Sequence, residues 1–334
     1  MAENNRPSVG GEALLEGVMM RGKSDMAIAI RKPDGEIIID RQPLKTLAQK
    51  YSIAKVPIIR GAVSMVESMV IGIKAIMYSA EFMEFEEDEP KPNAKPKKKK
   101  KDDGKLSDFW LVVSVVIALI FGIGLFMVIP YLISRTPTWI FGESAGFTGQ
   151  SVFMNITEGI IRIVLFVLYI MLITRIKDVK RVFQYHGAEH KTIYAYEKGD
   201  ELTVENVRKY TTRHPRCGTA FLFIVMIISI FMFSIIGKHA VWLNVTLRIV
   251  LIPLIAGLSY ELIKWAGRHD NWLMRIISWP GMAMQRFTTQ EPDDSMLEVA
   301  IAALKNVVFT EEELAEEAAR NAPPVIEEIT SESV

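Results

Sequence analysis

Four long apolar blocks dominate this sequence: Phe109 to Ile133, Ile156 to Ile176, Cys217 to Gly237 and Val241 to Ile263. A helix needs about 20 apolar residues to cross a bilayer core, at roughly 1.5 Å of rise per residue. Blocks of that length leave few fold classes open, because backbone polar groups in lipid must be satisfied within the segment itself, as in a helix. Trp110, Tyr131, Trp139, Trp242 and Trp265 fall near the block ends, where an interfacial aromatic belt would sit. The expectation is an α-helical multi-pass membrane protein with four transmembrane helices and a small N-terminal β-containing cytoplasmic module.

Lysine and arginine set the orientation. The 134–150 loop carries Arg135 alone and the turn between blocks three and four carries Lys238, whereas 177–216 holds Lys177, Lys180, Arg181, Lys191, Lys198 and further cations. This predicts a plasma (inner) membrane protein with both termini and the 177–216 loop in the cytoplasm. Met1 to Pro7 is polar with no apolar stretch after it, so the first spanning helix would act as the insertion signal.

The chain divides by composition. Residues 1–50 read as the β-containing module, with Met26–Arg31 and Glu36–Asp40 flanking a Pro33-Asp34-Gly35 turn. The glycines of Gly10 to Gly22 predict tight turns or close backbone approach. Residues 51–84 read as an amphipathic interfacial helix, because Arg60, Glu67, Lys74 and Glu81 recur every seventh residue on one stripe. Residues 85–106 are a charged linker predicted to be disordered, with Lys97–Lys101 as a topology signal or a contact for anionic lipid. Residues 107–264 form the membrane domain. Residues 265–310 hold interfacial helices, one ended by Pro280-Gly281 and one capped by Ser295, and 311–334 form an acidic tail. The balance of 39 basic against 39 acidic residues gives no global attraction to nucleic acid. The one cysteine, Cys217, excludes an internal disulfide.

The densest chemical signal is His186-Gly-Ala-Glu-His190. Histidines at i and i+4 share a helix face, so both imidazoles can reach one ion, and Glu189 stands beside that face. In the order His-x-x-Glu-His the glutamate serves as general base. His214 and Cys217 follow in the same loop and are candidate ligands. Glu261, at the cytoplasmic end of the fourth block, is a candidate third ligand. The alternatives are structural: histidines bonded to headgroups or carboxylates, Cys217 as a small residue at a helix start, and Glu261 paired with Lys264 or a loop arginine. Glu158, Arg162 and Arg248 lie inside the blocks, either pairing with one another or lining a polar path.

The motifs Gly10-Gly-Glu-Ala, Glu16-Gly-Val-Met-Met-Arg-Gly22, Pro57-Ile-Ile-Arg-Gly61, Tyr185-His-Gly-Ala-Glu-His-Lys191, His214-Pro-Arg-Cys-Gly-Thr219, Ala256-Gly-Leu-Ser-Tyr-Glu261 and Thr288-Thr-Gln-Glu-Pro-Asp-Asp294 together resemble the YqhQ-like family over roughly residues 8 to 305. Glu12 stands where that family is expected to carry Gln. The resemblance implies bacterial membrane proteins with a domain of unknown function, often described as predicted metal-dependent enzymes, and names no substrate.

Three readings follow. The first is a metal site at the cytoplasmic face, with zinc or another divalent transition metal held by His186 and His190 and completed by Glu261, or by Cys217 and His214. Glu189 would then act as catalytic base for hydrolysis of a membrane-proximal peptide or lipid. The second is an assembly, insertion or scaffold factor binding another membrane protein. The third is a transporter of a metal ion or small solute. The bilayer is the partner common to all three.

Overall fold

The computed structural model describes residues 6–83, 104–141, 149–215, 217–235, 241–266 and 272–321. Most of the charged linker with Lys97–Lys101, the end of the acidic tail, the turn carrying Lys238, and His269 with Asp270 lie outside the described residues.

A four-stranded antiparallel meander opens the chain: β1 Gly10–Leu14, β2 Gly17–Arg21, β3 Asp25–Arg31 and β4 Ile37–Pro43. The predicted hairpin is β3–β4, and Gly35 at its turn has φ +90, a conformation that glycine adopts without cost. β1 and β2 are joined through Leu15 and Glu16, and Glu16 takes φ +49. The close approach predicted for the glycine run occurs at Gly17, where a Cβ would meet the Ala29 carbonyl oxygen at 2.5 Å.

Alternation along the strands makes the sheet two-faced. Val18, Met20 and Ala29 face one layer of helices, while Leu14, Met19, Ile28 and Ile30 face another. After the short α1 Leu47–Lys50 comes the long α2 Ile59–Ala80, whose Ala75 packs under the second face. The first face is covered by two helices far apart in sequence, described below.

The apolar blocks form a bundle. α3 Gly104–Ile123 passes through a π-helical turn, Gly124–Val128, into α4 Ile129–Phe141. The distortion has a local cause. Pro130 has no N–H to give to Phe126, four residues earlier, and that carbonyl instead accepts a 2.8 Å hydrogen bond from Arg162 Nε. α5 Gly149–Ile173 carries Arg162 and follows the loop. Then come α6 Lys177–Lys198, α7 Val204–Arg208, α8 Gly218–Ile235, α9 Val241–Ala266, α10 Trp272–Thr288, α11 Asp294–Val308 and α12 Glu311–Asn321. In the bundle core Glu158 accepts from both Arg162 and Arg248, and Arg162 also donates to Ser229 Oγ at 3.0 Å. Arg248 also stacks 4.8 Å from the Tyr131 and Phe233 ring centres. These charges pair internally, the structural alternative above, which offsets the cost of burying them.

Among the described residues four helices are long and apolar enough to cross a membrane: Ile59–Ala80, Val113–Thr136, Phe153–Ile173 and Trp242–Trp265. Phe221–Ile235 is a shorter apolar helix. The set differs from the sequence expectation by holding α2 in place of the third block, Cys217 to Gly237. The stripe of charges on α2 is thin, and Arg60 is neutralised by Glu261. α2 crosses α9 closely: a Cβ on Gly61 would stand 2.9 Å from Gly257 Cα. Its other half carries Gly72, Ala75 and Ser79 against the sheet module.

The 177–216 connection carries the helix expected for the histidines, α6, ended by a left-handed Gly199 whose following N–H, on Asp200, returns to Ala195 at 3.1 Å. Two further features depart from the expectation. α10 does not stop at Pro280-Gly281 but continues to Thr288, exposing Trp272, Ile276 and Trp279. α11 is capped by Asp293, whose carboxylate accepts from the Met296 N–H at 3.0 Å, while Ser295 bonds to that carboxylate. Far from lying at a surface, α11 buries Met296, Leu297, Ala300 and Leu304 against the sheet and α6. Each such large side chain contributes about 1.5–3 kcal/mol.

The glycine crossing gives a test. Gly257→Val should destabilise the detergent-solubilised protein by about 1–3 kcal/mol through overpacking, read as a lowered thermal midpoint. Gly122→Ala, at a site with nothing within 4 Å, should not.

Candidate metal centre

α6 lies between the sheet module and the bundle, and its polar face is buried. Tyr185, Ala188, Ile193 and Tyr196 pack into the core with the sheet and α11. Arg181 pairs with Glu16 at the β1–β2 turn, and the Tyr185 hydroxyl donates to the same carboxylate at 3.2 Å. Gly187 is the point where the 288–291 segment crosses, since a Cβ there would overlap the Gln290 carbonyl. Lys191, buried at 3% exposure, is neutralised by Glu291 and donates to the Arg208 carbonyl.

That crossing orients the histidines. His186 Nδ1 donates to the Thr288 carbonyl at 2.7 Å, and His190 Nδ1 donates to the Thr212 carbonyl at 2.6 Å. A carbonyl can only accept, so each Nδ1 carries the proton and each Nε2 presents a lone pair. His186 Nε2 lies 3.2 Å from Cys217 Sγ, at the entrance to α8. The ligand atoms of His186, His190 and Cys217 all lie within 4.8 Å of one another. His190 Nε2 is buried with no hydrogen-bond partner, a costly state for a polar atom unless something fills it. Burial pushes His190 below its ordinary imidazole value, which keeps that lone pair unprotonated at neutral pH.

The residues fit a metal ion. Two imidazoles and one thiolate suit zinc and its divalent transition neighbours, and outer carbonyls that fix the tautomer are the usual support of such ligands. Three protein ligands leave a fourth position for substrate or water, the pattern of catalytic zinc sites.

Glu189 stands beside the group, its Oε2 4.0 Å from His186 Nε2. Burial pushes its carboxyl up to about 7; Glu12 adds to the shift, while His186 and the Gly11 N–H oppose it. Glu12 is itself raised by burial, with Arg21 opposing. Both carboxyls line a cavity of about 450 Å³ that also exposes His186, His190, His214 and Cys217.

Two candidate ligands are not brought into the cluster. Glu261 is held by Arg60 through both oxygens and accepts from the Ile58 N–H at 3.4 Å. Its partner is thus a residue of α2, which sequence spacing alone did not couple to α9. His214 lines the cavity, but its Nε2 turns to Glu197 at 3.3 Å and its ring centre stands 5.8 Å from that of His190.

Gln285 and Gly11 were not singled out from sequence. The fully buried Gln285 clamps the backbone of His214, donating to its carbonyl at 2.8 Å and accepting from its N–H at 2.7 Å. It thereby fixes the backbone of the segment that precedes Cys217. Gly11 has no room for a Cβ, which would stand 2.7 Å from Glu189 Cγ. A lone glutamine in an apolar helix gives no spacing signal, and the glycine run was readable only as close approach.

Comparison with known proteins adds the family. Residues 56–310 match the family described as Protein of unknown function (DUF1385). The chain belongs to that family. It is also 32% identical over 306 residues, 91% of this chain and 93% of the relative, to the protein named Uncharacterized protein YqhQ of Bacillus subtilis (strain 168). No solved structure matches. The DUF1385 family carries no stated activity, so function rests on the geometry.

The clamp is testable. Gln285→Ala should weaken zinc binding about 10- to 100-fold, as removal of outer-shell support does, measured by competition with a chromogenic chelator, while Gln42→Ala, at an exposed glutamine of β4, leaves affinity unchanged.

Proposed function

We propose that this protein is a metal-dependent hydrolase of a bacterial membrane, with its centre at the cytoplasmic face and zinc as the first-choice ion. The observation that carries the reading is the pair of imidazoles with both Nδ1 atoms committed to carbonyls and both Nε2 lone pairs converging on Cys217 Sγ. His186, His190 and Cys217 would hold the ion. When bound, zinc supplies Lewis acidity, polarising a substrate carbonyl and easing deprotonation of water.

Glu189 does the proton work. With its carboxyl near 7, it can take a proton from an attacking water and return it to the leaving group at neutral pH. The chain also excludes bulk water, because Glu189 is 4% exposed and His190 1% exposed. Four helices long and apolar enough to cross a membrane, together with the exposed Trp272, Ile276 and Trp279 of α10, support a bilayer setting. α2 reads best as a helix at the cytoplasmic interface, since one end meets the last turns of α9 and the other meets the sheet module. A substrate near that surface follows from the cavity, which is lined by Leu222 of α8 and Ser68 of α2.

A second reading is favoured by one distance. Cys217 sits at the start of α8, 3.2 Å from His186 Nε2, a pairing that also suits a thiolate nucleophile. Zinc content separates the two. Elemental analysis of the purified protein should give about one zinc per chain, lost in His186→Ala/His190→Ala. Glu189→Gln should keep the zinc and lose about 10²–10⁴-fold in hydrolytic rate. Absence of metal with rapid alkylation of Cys217 by iodoacetamide would overturn the metal reading in favour of the thiol one. If Glu189→Gln retains full function with metal bound, the centre is structural and the scaffold reading takes its place.

A further inference from the structure

One wall of the cavity is unused by the proposed chemistry. Five consecutive residues, Val9 to Ala13, line it. Side chains alternate between the faces of a sheet, so one face could supply only every second residue. What all five share is the strand's edge. β1 is an edge strand, paired with β2 alone.

The edge is directed outward in a definite register. Leu14 and Gly17 close the two-residue turn, so Leu14, Glu12 and Gly10 turn their N–H and C=O toward β2 while Gly11 and Ala13 turn theirs away; the Gly11 N–H side is where the Glu189 carboxyl stands. In an antiparallel ladder the N–H and C=O of one residue point to the same side, and the side switches at each residue. The Gly11 C=O and the N–H and C=O of Ala13 therefore face away from β2. They form a donor and acceptor row running beside His186 and His190. Across the cavity stand apolar Val182, Phe183, Ile193 and Leu222.

We propose that the β1 edge binds an extended peptide segment, which adds as a fifth strand and lays its backbone across the metal centre. An unpaired strand edge calls for a partner whose hydrogen-bonding groups repeat every second residue, and a peptide backbone is that partner. The apolar wall takes the side chains that point away from the sheet module. A lipid would use the wall but not the row of amides. Binding stands without catalysis, whereas the identity of this peptide as the substrate rests on the hydrolytic reading above.

The experiment uses the full chain in detergent, carrying Glu189→Gln to prevent turnover. It is challenged with a randomised heptapeptide pool, and with the same pool N-methylated at alternate amides. Recovery is read by affinity selection and mass spectrometry, with zinc content measured on the same samples. The ordinary pool should be enriched about tenfold over the methylated one, the effect of losing one or two hydrogen bonds. Ala13→Pro, which removes an edge N–H without touching the β2 ladder, should abolish the enrichment with zinc content unchanged. Equal recovery of both pools, or none of either, overturns the proposal. Zinc loss in the histidine variant would still stand in that case, so failure here and failure of the metal reading are distinguishable. If Ala13→Pro does not fold, the comparison of the two pools on the parent protein decides alone.

Discussion

The burial of α6 is the constraint on which the rest depends. A helix bearing His186, Glu189, His190 and Lys191 is driven into the interior by Tyr185, Ala188, Ile193 and Tyr196 on its apolar face. Every polar group carried in with it then demands a partner. Thr288, Thr212, Gly11 and Glu291 answer four of these demands from four separate stretches of chain. Within α6 the buried side-chain atom left over is His190 Nε2, which faces His186 and Cys217.

The bundle follows the same logic at a different site. Glu158, Arg162 and Arg248 are buried among apolar helices and satisfy one another, with Ser229 and the carbonyl released by Pro130 taking the remaining donors of Arg162. There Arg248 Nε has no hydrogen-bond partner, and its guanidinium lies over the Tyr131 and Phe233 rings instead. The proposed function is placed at α6 because two histidines and a cysteine converge there, whereas the bundle charges pair with one another and are read as structure.

How much was legible in the sequence depended on range. The β3–β4 hairpin and the shared face of His186 and His190 follow from local spacing and were readable. Cys217 was readable as a candidate because His214-Pro-Arg-Cys217 adjoins an apolar block. What spacing could not supply was the pairing of distant segments. Glu261 lies at the right end of α9 but meets Arg60 of α2. Gln285 lies in a helix read only as interfacial, yet it fixes the backbone segment before Cys217. α11 also read as an interfacial helix, because the sheet that buries it is more than 250 residues away in sequence. The heptad charges of α2 likewise gave no sign that Arg60 meets Glu261.

The central claim is that two imidazole nitrogens and one thiolate sulfur share an ion. Zinc K-edge X-ray absorption on the zinc-loaded, purified protein tests it directly. The account predicts one sulfur at about 2.3 Å and two imidazole nitrogens at about 2.0–2.1 Å, with the sulfur shell absent in Cys217→Ser. An all-oxygen shell, or a spectrum unchanged by Cys217→Ser, would contradict it.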